Sequence, residues 1–295
     1  MKILVTGANG FLGHYLVDKL LQKEHTVIAT GKGPSRLPFS TGENFIYHEM
    51  DFTDPFNVHD VFEKYRPGIV VHAGAISKVD DCELNQWEAY RANTEATVTL
   101  LVNAEDYQCF FVFVSTDFVF DGEKGMYRET DKPNPVNFYG RTKMEAEEAV
   151  TEYAYDWAIV RTVLVYGKPQ AGRANILTIV KDKLEKGEPY NVVDDQVRTP
   201  TYVEDLAGGI VAIIDKKAKG IYHLSGEEVL TPYQMAVRAA EFLNLDSKLI
   251  NKVTAANFSQ PAKRPPVTGF TIDKAKRELD YHPLSFEEGL KKTFE

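Results

Sequence analysis

The sequence has too few cysteines to build a disulfide framework or a zinc site. Only Cys82 and Cys109 occur in 295 residues, and no Cys-x-x-Cys spacing is present. Such a pair fits reduced thiols better than either arrangement. The seven histidines show no metal-ligand spacing either. We therefore expect no metal, and a protein of the reducing cytoplasm.

Excess positive charge and long apolar runs are also lacking. The chain carries 43 acidic and 34 basic residues, a formal net charge of −9. Nucleic acids are disfavoured as partners, because proteins bind them mainly through Lys and Arg that neutralise phosphates. No apolar run approaches the ~20 residues of a membrane span, and the first predicted strand begins at Lys2 without a secretory leader. We expect a soluble protein without a membrane partner, in which a local basic patch can still hold a small phosphorylated ligand.

The chain does contain a regular alternation of short apolar runs and longer amphipathic stretches. The short runs predict strands at 2–6, 25–30, 44–49, 68–74, 109–116, 157–167 and 220–226. The stretches between and after them predict helices at 11–23, 54–66, 86–107, 138–155, 175–186, 202–215 and 231–244. Several strand runs are apolar without alternation, as expected when helices cover both faces of a sheet. The predicted fold is therefore α/β, with a doubly wound parallel sheet of the Rossmann type.

Irregular, proline-bearing segments follow this pattern. We predict a dinucleotide-binding domain at 1–167, to which 201–225 returns, and a smaller C-terminal lobe formed by 168–200 and 226–295. Segments of this kind, appended to a parallel sheet, commonly build a pocket beyond the carboxyl ends of the strands. The lobe is therefore expected to bind the substrate.

Three glycines follow the first predicted strand in "VTGANGFLG" (5–13). Gly7 permits the tight turn, Gly10 lets the backbone approach a pyrophosphate, and Gly13 allows close packing of helix on strand. A merely flexible connection is the alternative, which the position between strand and helix disfavours. We predict that a dinucleotide contacts this turn through Gly7, Asn9, Gly10, Phe11, Leu12 and Gly13.

The end of the second strand bears on which dinucleotide is bound. An acidic residue there would hydrogen-bond the ribose 2′-hydroxyl, whereas a basic one would accept a 2′-phosphate. No Asp or Glu occurs between Val27 and Glu43, while Lys32 and Arg36 follow the strand closely. This charge pattern favours NADP, with NAD as the other choice. The alternative is that both cations simply face solvent.

Two further segments lie where such a cofactor is expected to run. Asp51 and Phe52 follow the third strand and offer a carboxylate for the adenine amino group and an apolar wall. Capping of the next helix is the alternative role of Asp51, although Thr53 and Asp54 are better placed for it. The fourth strand ends in small residues that let a ligand approach the backbone closely, namely Ala73, Gly74 and Ala75.

A tyrosine and a lysine lie four residues apart in "FYGRTKMEAEEAV" (138–150), so Tyr139 and Lys143 share one face of the predicted helix. A free phenol has a pKa of ~10 and proton exchange favours about 7, so the site must stabilise the phenolate by ~4 kcal/mol. The Lys143 ammonium and the nicotinamide end of a cofactor can do this. Thr116, at the end of the fifth strand, is the candidate for polarising a substrate carbonyl; its alternative role is to cap the turn through Asp117.

Along nearly its whole length, the chain resembles the extended short-chain dehydrogenase/reductase family. The matching segments are "TGANGFLG", "HAGA", the Ser-Thr of the fifth strand, "YGRTK", "RTVLVYG" (161–167) and "PTYVEDLA" (200–207). Within this family the chain is most similar to the dTDP-4-dehydrorhamnose reductase branch, through "STDFVFDG", "NPVNFYGRTK", "VDDQVRTPT" and the late Arg264-Pro265.

The resemblance implies hydride transfer at C4 of a nucleotide-linked hexose. Tyr139 would donate the proton, Lys143 would support it, and Thr116 would bind the carbonyl oxygen. Asn93 matches an asparagine that steadies the active-site lysine in this family through a backbone and water link. The implied partner is therefore a small nucleotide-sugar substrate.

Related enzymes use one scaffold for reduction, dehydration or epimerisation, so particular residues must separate these reactions. Sugar-nucleotide dehydratases carry an Asp-Glu pair after the threonine, whereas here Asp117 is followed by Phe118, and we expect both at the substrate. Without the glutamate, abstraction of the C5 proton has no evident base, which disfavours dehydration. A 4-epimerase keeps NAD bound, and the basic end of the second strand argues mildly against it.

Three more residues bear on the sugar nucleotide. Leu164 stands where the rhamnose-reductase branch usually has a tryptophan that helps hold the substrate, so the particular sugar stays open. Arg198 and Arg264 are candidate partners of the diphosphate, since guanidinium groups suit phosphate oxygens. Solvated surface arginines are the alternative.

A non-enzymatic role also stays open. The beta subunit of methionine adenosyltransferase resembles the same branch and acts as an NADP-binding regulatory partner. The presence of all the catalytic residues favours an enzyme. Family members often form homodimers, but the sequence does not locate an interface.

The remaining features are interpreted as structural. His72 ends the fourth strand and is assigned no ligand role. Trp87 and Trp157 are expected to pack into the core. The stretch "EAEEAV" (145–150) is interpreted as a charged helix face.

Overall fold

The computed structural model describes residues 1–170, 174–257 and 260–295. Its strands are β1 (Lys2–Thr6), β2 (Thr26–Gly31), β3 (Phe45–Glu49), β4 (Ile69–His72), β5 (Phe110–Thr116), β6 (Trp157–Thr162), β7 (Val165–Tyr166), β8 (Tyr190–Val193), β9 (Thr201–Tyr202), β10 (Gly220–His223) and β11 (Ile250–Val253). Its helices are α1 (Phe11–Gln22), α2 (Pro55–Tyr65), α3 (Val79–Leu84), α4 (Gln86–Tyr90), α5 (Ala96–Asp106), α6 (Phe138–Thr151), α7 (Ile176–Glu185), α8 (Val203–Lys216), α9 (Pro232–Phe242), α10 (Asp273–Leu279) and α11 (Phe286–Phe294).

Seven strands form one parallel sheet in the order β10-β6-β5-β4-β1-β2-β3. The chain moves outward from β1 to β3, returns to β4 on the other side of β1, and then moves outward again. The strand order therefore reverses between β1 and β4, and ligands of open α/β sheets bind beyond the carboxyl ends of the strands at such a point. The predicted α/β fold with a doubly wound parallel sheet is confirmed.

Helices cover both faces of the sheet, which explains the apolar runs without alternation. Successive residues of each strand enter different cores. In β1, for example, Ile3 and Val5 belong to the core shared with α1 and α8, while Leu4 belongs to the core shared with α2 and α5. Most positions of the central strands are therefore buried on one side or the other.

Two predicted elements are divided in the structure. The helix predicted at 86–107 consists of α4, a π-helical turn at Arg91–Glu95, and α5. The strand predicted at 157–167 ends at Thr162, and a short β7 follows after Leu164, whose φ of 30° lies in the left-handed region. Both interruptions occur at residues that line the site described below.

Segments beyond β7 contribute to the sheet as well as to smaller units. β10 pairs with β6, and α8 packs on α1. β8 pairs with β11 in a separate two-stranded sheet, and β7 pairs with β9 in another. The division into a dinucleotide domain and a substrate lobe stays a prediction. Within the described ranges, no helix combines the length and apolarity that crossing a membrane requires.

The two tryptophans differ from each other in burial. Trp157 is half-buried against the core at the start of β6. Trp87 is 67% exposed on α4 and stacks only on Tyr90, with ring centroids 6.4 Å apart. The core position predicted for Trp87 is therefore wrong, because the short helix α4 turns this side chain outward.

Candidate active site

The glycine turn closes against the end of β4. A Cβ on Gly7, whose φ is 69°, would lie 2.7 Å from the backbone nitrogen of Gly74. A Cβ on Gly13 would lie 2.3 Å from the carbonyl oxygen of Gly7, so only glycine fits there. α1 begins after Gly10 without a side-chain cap and without an acidic residue in its first turn. Its first amides are therefore directed to the turn, where an anionic group would be stabilised.

Asn9 ties this turn to the loop after β2. Its Nδ2 donates to the carbonyl of Pro34 at 3.1 Å and to the hydroxyl of Tyr47 at 2.8 Å. Its Oδ1 accepts from the backbone nitrogen of Arg36 at 2.9 Å. The loop that carries the predicted 2′-phosphate contacts is thus fixed to the glycine turn by one side chain.

The two predicted cations differ in their surroundings. Lys32 forms an ion pair with Asp51, with 2.8 Å between Nζ and Oδ2. Arg36 is exposed, and its positive charge lowers the pKa of Tyr47, which burial raises more strongly. Both cations are thus exposed, so the alternative that they only face solvent stays open, and Lys32 has in addition an acidic partner. Its exposed pair with Asp51 is worth little in stability, because water screens it.

Asp51 and Phe52 follow β3, and the Phe52 ring packs against the end of β4 beside His72. Asp51 accepts hydrogen bonds from the backbone and hydroxyl of Thr53. The cap of α2 is Asp54, which accepts from the nitrogen of Phe56, so the capping role considered for Asp51 is wrong. A Cβ on Gly74 would lie 2.6 Å from the Phe52 ring, which shows how closely this ring packs on the small residues after β4.

Thr116, Tyr139 and Lys143 meet at the carboxyl end of β5. Tyr139 and Lys143 share the inward face of α6, which Asn137 caps by accepting from the nitrogen of Gly140 at 2.8 Å. All three side chains are buried. The Thr116 hydroxyl lies close enough to the Tyr139 phenol to lower its pKa. The structure therefore assembles the three residues that the sequence predicts as catalytic.

The pKa of Tyr139 is raised, because burial disfavours the phenolate more than Thr116 favours it. The negative charge of Asp117 adds to the rise. The Tyr-x-x-x-Lys spacing predicts a lowered pKa for Tyr139. In the protein without a cofactor, the side chains around Tyr139 do not produce that lowering. A phenol that stays protonated at neutral pH is suited to donate a proton rather than to accept one.

Lys143 lies in an apolar environment. Its Nζ stands 3.8 Å from the centroid of the Phe113 ring, a cation–π contact. Burial lowers the pKa of Lys143 to about 7, and the Glu147 carboxylate partly opposes that shift. The ammonium charge is thereby made sensitive to pH near neutrality.

Asn93 lies in the π-helical turn and joins two parts of the site. Its Oδ1 accepts from the nitrogen of Ile76 at 2.8 Å, and its Nδ2 donates to the carbonyl of Ile76 and to the Thr142 hydroxyl. Thr142 directly precedes Lys143. Asn93 thereby connects the loop after β4 to the helix that carries the lysine, and its predicted support of Lys143 stays a proposal.

Asp117 is the centre of a buried polar cluster beside Thr116. It accepts from the hydroxyls of Thr116, at 3.1 Å, and of Thr268. Arg198 lies 3.7 Å from its carboxylate and also donates to the carbonyls of residues 265 and 266. Burial raises the pKa of Asp117. Arg198 is therefore buried and bonded inside the protein, so the solvated position considered as its alternative is wrong, while its contact with a diphosphate stays a proposal.

The segment 262–268 closes this side of the site. Arg264 makes a two-pronged contact with Asp80 of α3, with both N–O distances 2.6 Å. Asn137, the cap of α6, donates to the carbonyl of Lys263 at 2.8 Å. The segment is thus attached both to α3 and to the start of α6, and Arg264 would have to leave Asp80 to meet a diphosphate.

Phe118 and Leu164 are the two apolar residues predicted at the substrate. The Phe118 ring meets the Tyr139 ring edge-on, with centroids 5.9 Å apart. It stands where dehydratases of the family carry a glutamate. Leu164 is 36% exposed on its left-handed backbone. Their contact with substrate stays a proposal.

The stretch 145–150 contains a group whose importance the sequence interpretation missed. Glu147 is buried and accepts from Arg161 through Nε at 3.0 Å and Nη2 at 2.5 Å, and from the Ser115 hydroxyl at 2.5 Å. The interpretation of 145–150 as a charged helix face is therefore wrong at Glu147, which lies in the interior. The buried residues of α6 recur at helical spacing, namely Lys143, Ala146, Glu147 and Val150. That spacing is the signal in the sequence from which burial of Glu147 could have been predicted.

The histidine and cysteine environments do not suggest a metal. His72 is fully buried, bonded through Nδ1 to the Thr6 hydroxyl at 2.6 Å, and burial lowers its pKa to about 3. Both cysteines are free and buried. In the part of the chain that the structure describes, no cluster of three His, Cys, Asp or Glu could hold a metal ion.

Comparisons with known proteins identify a family and relatives of this chain. A family model described as the RmlD substrate binding domain matches residues 1–295. A probable low-salt glycan biosynthesis reductase of Haloferax volcanii is 30% identical over 294 residues, which cover 98% of this chain and 96% of the relative. Methionine adenosyltransferase 2 subunit beta of Bos taurus is 31% identical over 259 residues, which cover 86% of this chain and 75% of the relative.

Solved structures give the same fold. The crystal structure of dTDP-4-dehydrorhamnose reductase from Bacillus anthracis str. Ames in complex with NADP superposes with a TM-score of 0.83 and 29% identity. The superposition covers 99% of this chain and 98% of that one.

Proposed function

The chain belongs to the RmlD substrate binding domain family, and from that premise we propose that it is an NADP-dependent reductase of a 4-keto nucleotide-linked sugar. NAD is the second cofactor choice. The observation that carries the proposal is the convergence of Thr116, Tyr139 and Lys143 at the carboxyl end of β5, two strands from the strand that leads into the glycine turn. The solved reductase with NADP and the probable glycan biosynthesis reductase support it.

The residues present fit a dinucleotide. Side chains at Gly7 and Gly13 would collide with backbone, and the uncapped start of α1 offers amides to a pyrophosphate. Phe52, packed on Gly74, would bound the adenosine side, and Lys32 and Arg36 would meet a 2′-phosphate. When bound, the nicotinamide supplies the hydride.

In this proposal, side chains of the site supply the proton for the reduction and orient the carbonyl group of the substrate. Thr116 and Tyr139 would hold the carbonyl oxygen between their hydroxyls. Tyr139 would then give its proton to that oxygen, which its raised pKa permits because the phenol is protonated over the whole neutral range. Lys143 would stabilise the phenolate left behind, since an ammonium nearby favours the charged form.

The surroundings favour simple reduction over dehydration. The position that would carry the second acid/base group is Phe118, whose ring packs on Tyr139. An aromatic ring cannot abstract a proton from the sugar. The substrate is proposed as a nucleotide sugar held between Thr116, Leu164 and the segment 262–268.

A screen of NADPH and NADH oxidation against a panel of 4-keto nucleotide sugars tests the proposal. We expect turnover with at least one 4-keto sugar, and formation of the corresponding 4-hydroxy sugar. A 4-epimerase would instead interconvert hydroxy sugars without consuming added nucleotide. If the protein binds NADPH but turns over no member of the panel, the proposed reductase activity is contradicted.

A second candidate function is that of a subunit of another enzyme. The 31% identity to methionine adenosyltransferase 2 subunit beta favours it, since that relative is by name a subunit. This second function predicts that the protein binds a nucleotide but does not reduce keto sugars. The same screen, combined with a binding measurement for NADPH, separates the two functions.

Cofactor choice has its own test in the loop after β2. Lys32→Ala/Arg36→Ala removes both cations, and we expect NADPH to lose about tenfold or more in affinity while NADH changes little. Titration of nucleotide into wild-type and variant protein measures both. Equal affinity for the two nucleotides, unchanged in the double variant, would exclude a 2′-phosphate site here.

A further inference from the structure

A buried ion pair lies beneath the predicted catalytic lysine. The Glu147 carboxylate accepts two hydrogen bonds from Arg161 and one from Ser115, and all three side chains are almost completely buried. Arg161 also stands 5.0 Å over the Phe120 ring, and its Nη1 has no partner among the described residues. Removing two charges from water costs free energy, and a buried ion pair is therefore weak evidence for stability alone. We therefore looked for a function of this pair.

The position of the pair relates it to the site. Glu147 lies one helical turn after Lys143 and two turns after Tyr139 on the same face of α6. Ser115 directly precedes Thr116 in β5, and Arg161 belongs to β6. One carboxylate therefore holds the helix with the tyrosine and lysine against the strand end with the threonine.

Charged and titratable groups surround the side chains of Tyr139 and Lys143. His72 of β4 and Glu147 of α6 interact with the Lys143 charge. Cys82 of α3 and Asp117 after β5 act on Tyr139, and Arg161 of β6 pairs with Glu147. His72 is neutral because burial and the Lys143 charge lower its pKa to about 3, while burial raises the pKa of Cys82 to about 11. Glu147 is thus the anion that acts most directly on the lysine, and it opposes the effect of burial on the lysine pKa.

We propose that Glu147 and Arg161 are positioning residues that set the charge of Lys143, a role that rests on the proposed function of Lys143 in proton transfer. Glu147 keeps the buried lysine protonated over a useful pH range. Arg161 neutralises part of the carboxylate, so that Glu147 does not bind the lysine in a closed ion pair. The two residues therefore act on Lys143 in opposite directions.

Single substitutions give this proposal a signature that a purely structural role lacks. Glu147→Gln keeps the shape and removes the negative charge, so the pKa of Lys143 should fall by about one unit. Arg161→Met removes the competing cation, so the pKa of Lys143 should rise by a comparable amount. Glu148→Gln is the matched control, because it makes the same change on an exposed position of the same helix.

The measurement is the titration of the Lys143 13Cε shift by NMR in full-length protein carrying 13C-labelled lysine, with Lys143→Arg to assign the signal. Opposite shifts in Glu147→Gln and Arg161→Met, with no shift in Glu148→Gln, support the proposal. Shifts in the same direction, or shifts no larger than that of the control, overturn it. Where the protein turns over substrate, the basic limb of the pH profile of kcat should move with the titration.

A further variant covers the case in which a single substitution prevents folding. Glu147→Gln/Arg161→Met leaves neither member of the pair as an unpaired charge and should fold more stably than either single variant. Its Lys143 pKa should lie below that of the wild type, because the Glu147 carboxylate, one helical turn from the lysine, opposes the effect of burial. An unchanged Lys143 pKa in this variant would overturn the proposal. Since the titration needs no substrate, failure of the reductase function and failure of this inference are distinguishable.

Discussion

Thr116 uses its one hydroxyl proton within the protein. Its hydroxyl donates to Asp117 at 3.1 Å and accepts from the nitrogen of Phe118 at 3.2 Å. A hydroxyl has one proton to donate, so donation to a substrate carbonyl requires that Thr116 release Asp117. The capping role considered as an alternative is therefore realised, and the catalytic role of Thr116 stays a proposal.

Substitution of Thr116 separates these roles. Thr116→Val removes the hydroxyl at nearly constant shape, and we expect kcat to fall by about 10²-fold, as for other donors to a developing oxyanion. Thr116→Ser keeps the hydroxyl and should retain most of the turnover. Steady-state kinetics with NADPH and a 4-keto nucleotide sugar measure both. Equal kcat in the valine and serine variants would remove the hydroxyl from the reaction.

Sequence alone could identify the residues whose spacing is local. Tyr139 and Lys143 are four apart on one helix, and Gly7, Gly10 and Gly13 lie in one turn. The partners of Glu147 and Arg264 could not be found in this way. Glu147 pairs with Arg161 fourteen positions away on another element, and Arg264 pairs with Asp80 across 184 positions. Such contacts depend on how elements pack, which spacing within one element does not encode.

The start of α1 illustrates how an element is shaped for a ligand. Gly13 lies against the Gly7 carbonyl, and the helix has no side-chain cap. A Cβ on Gly208 of α8, in contrast, meets nothing within 4 Å. Of these two helical glycines, only Gly13 is required by the space around it.

Alanine at these two positions should have opposite effects on the free energy of unfolding. We expect Gly13→Ala to lose about 1–3 kcal/mol and to weaken NADPH binding, because backbone must move. Gly208→Ala should gain about 0.5–1 kcal/mol from helix propensity. Urea denaturation provides the comparison. A Gly13→Ala variant as stable as Gly208→Ala would contradict the close packing of the turn.

Element boundaries were predicted within a few residues where apolar runs end at turn residues. The interruptions were not predicted. The π-helical turn at Arg91–Glu95 places the amide of Asn93 between the Ile76 backbone and Thr142, a tertiary demand on a sequence that would otherwise continue a helix. Leu164 adopts a left-handed backbone between β6 and β7 although its side chain gives no turn signal.

At the scale of the whole molecule, buried histidines connect stability to pH. Burial lowers the pKa of His72 to about 3 and lowers that of His223 well below its usual value. Below the unfolded pKa of ~6.5 the unfolded chain binds protons that the folded chain does not, so stability falls as the pH falls toward the folded pKa. The raised pKa values of Asp117 and Asp205 act in the opposite direction, since protonation in the fold favours folding at low pH.

The contribution of one histidine can be isolated by difference. Between pH 7 and pH 5, His72 should account for a loss of about 2 kcal/mol in the free energy of unfolding. His72→Gln does not titrate, so its stability should fall by about that much less over the same interval, whatever its stability at pH 7. Urea denaturation at both pH values measures the difference, in which the carboxylate effects cancel. If the free energy of unfolding of His72→Gln falls as much as that of the wild type between pH 7 and pH 5, His72 is not a neutral buried histidine.

The central claim is that a buried, protonated Tyr139 delivers the proton in keto-sugar reduction. The most direct measurement compares wild type with Tyr139→Phe for two quantities, the rate of NADPH oxidation with a 4-keto nucleotide sugar and the Kd of NADPH. We expect the rate to fall by about 10²–10⁴-fold, the range for loss of a general acid, while the Kd stays nearly constant. Undiminished turnover in Tyr139→Phe would contradict the account.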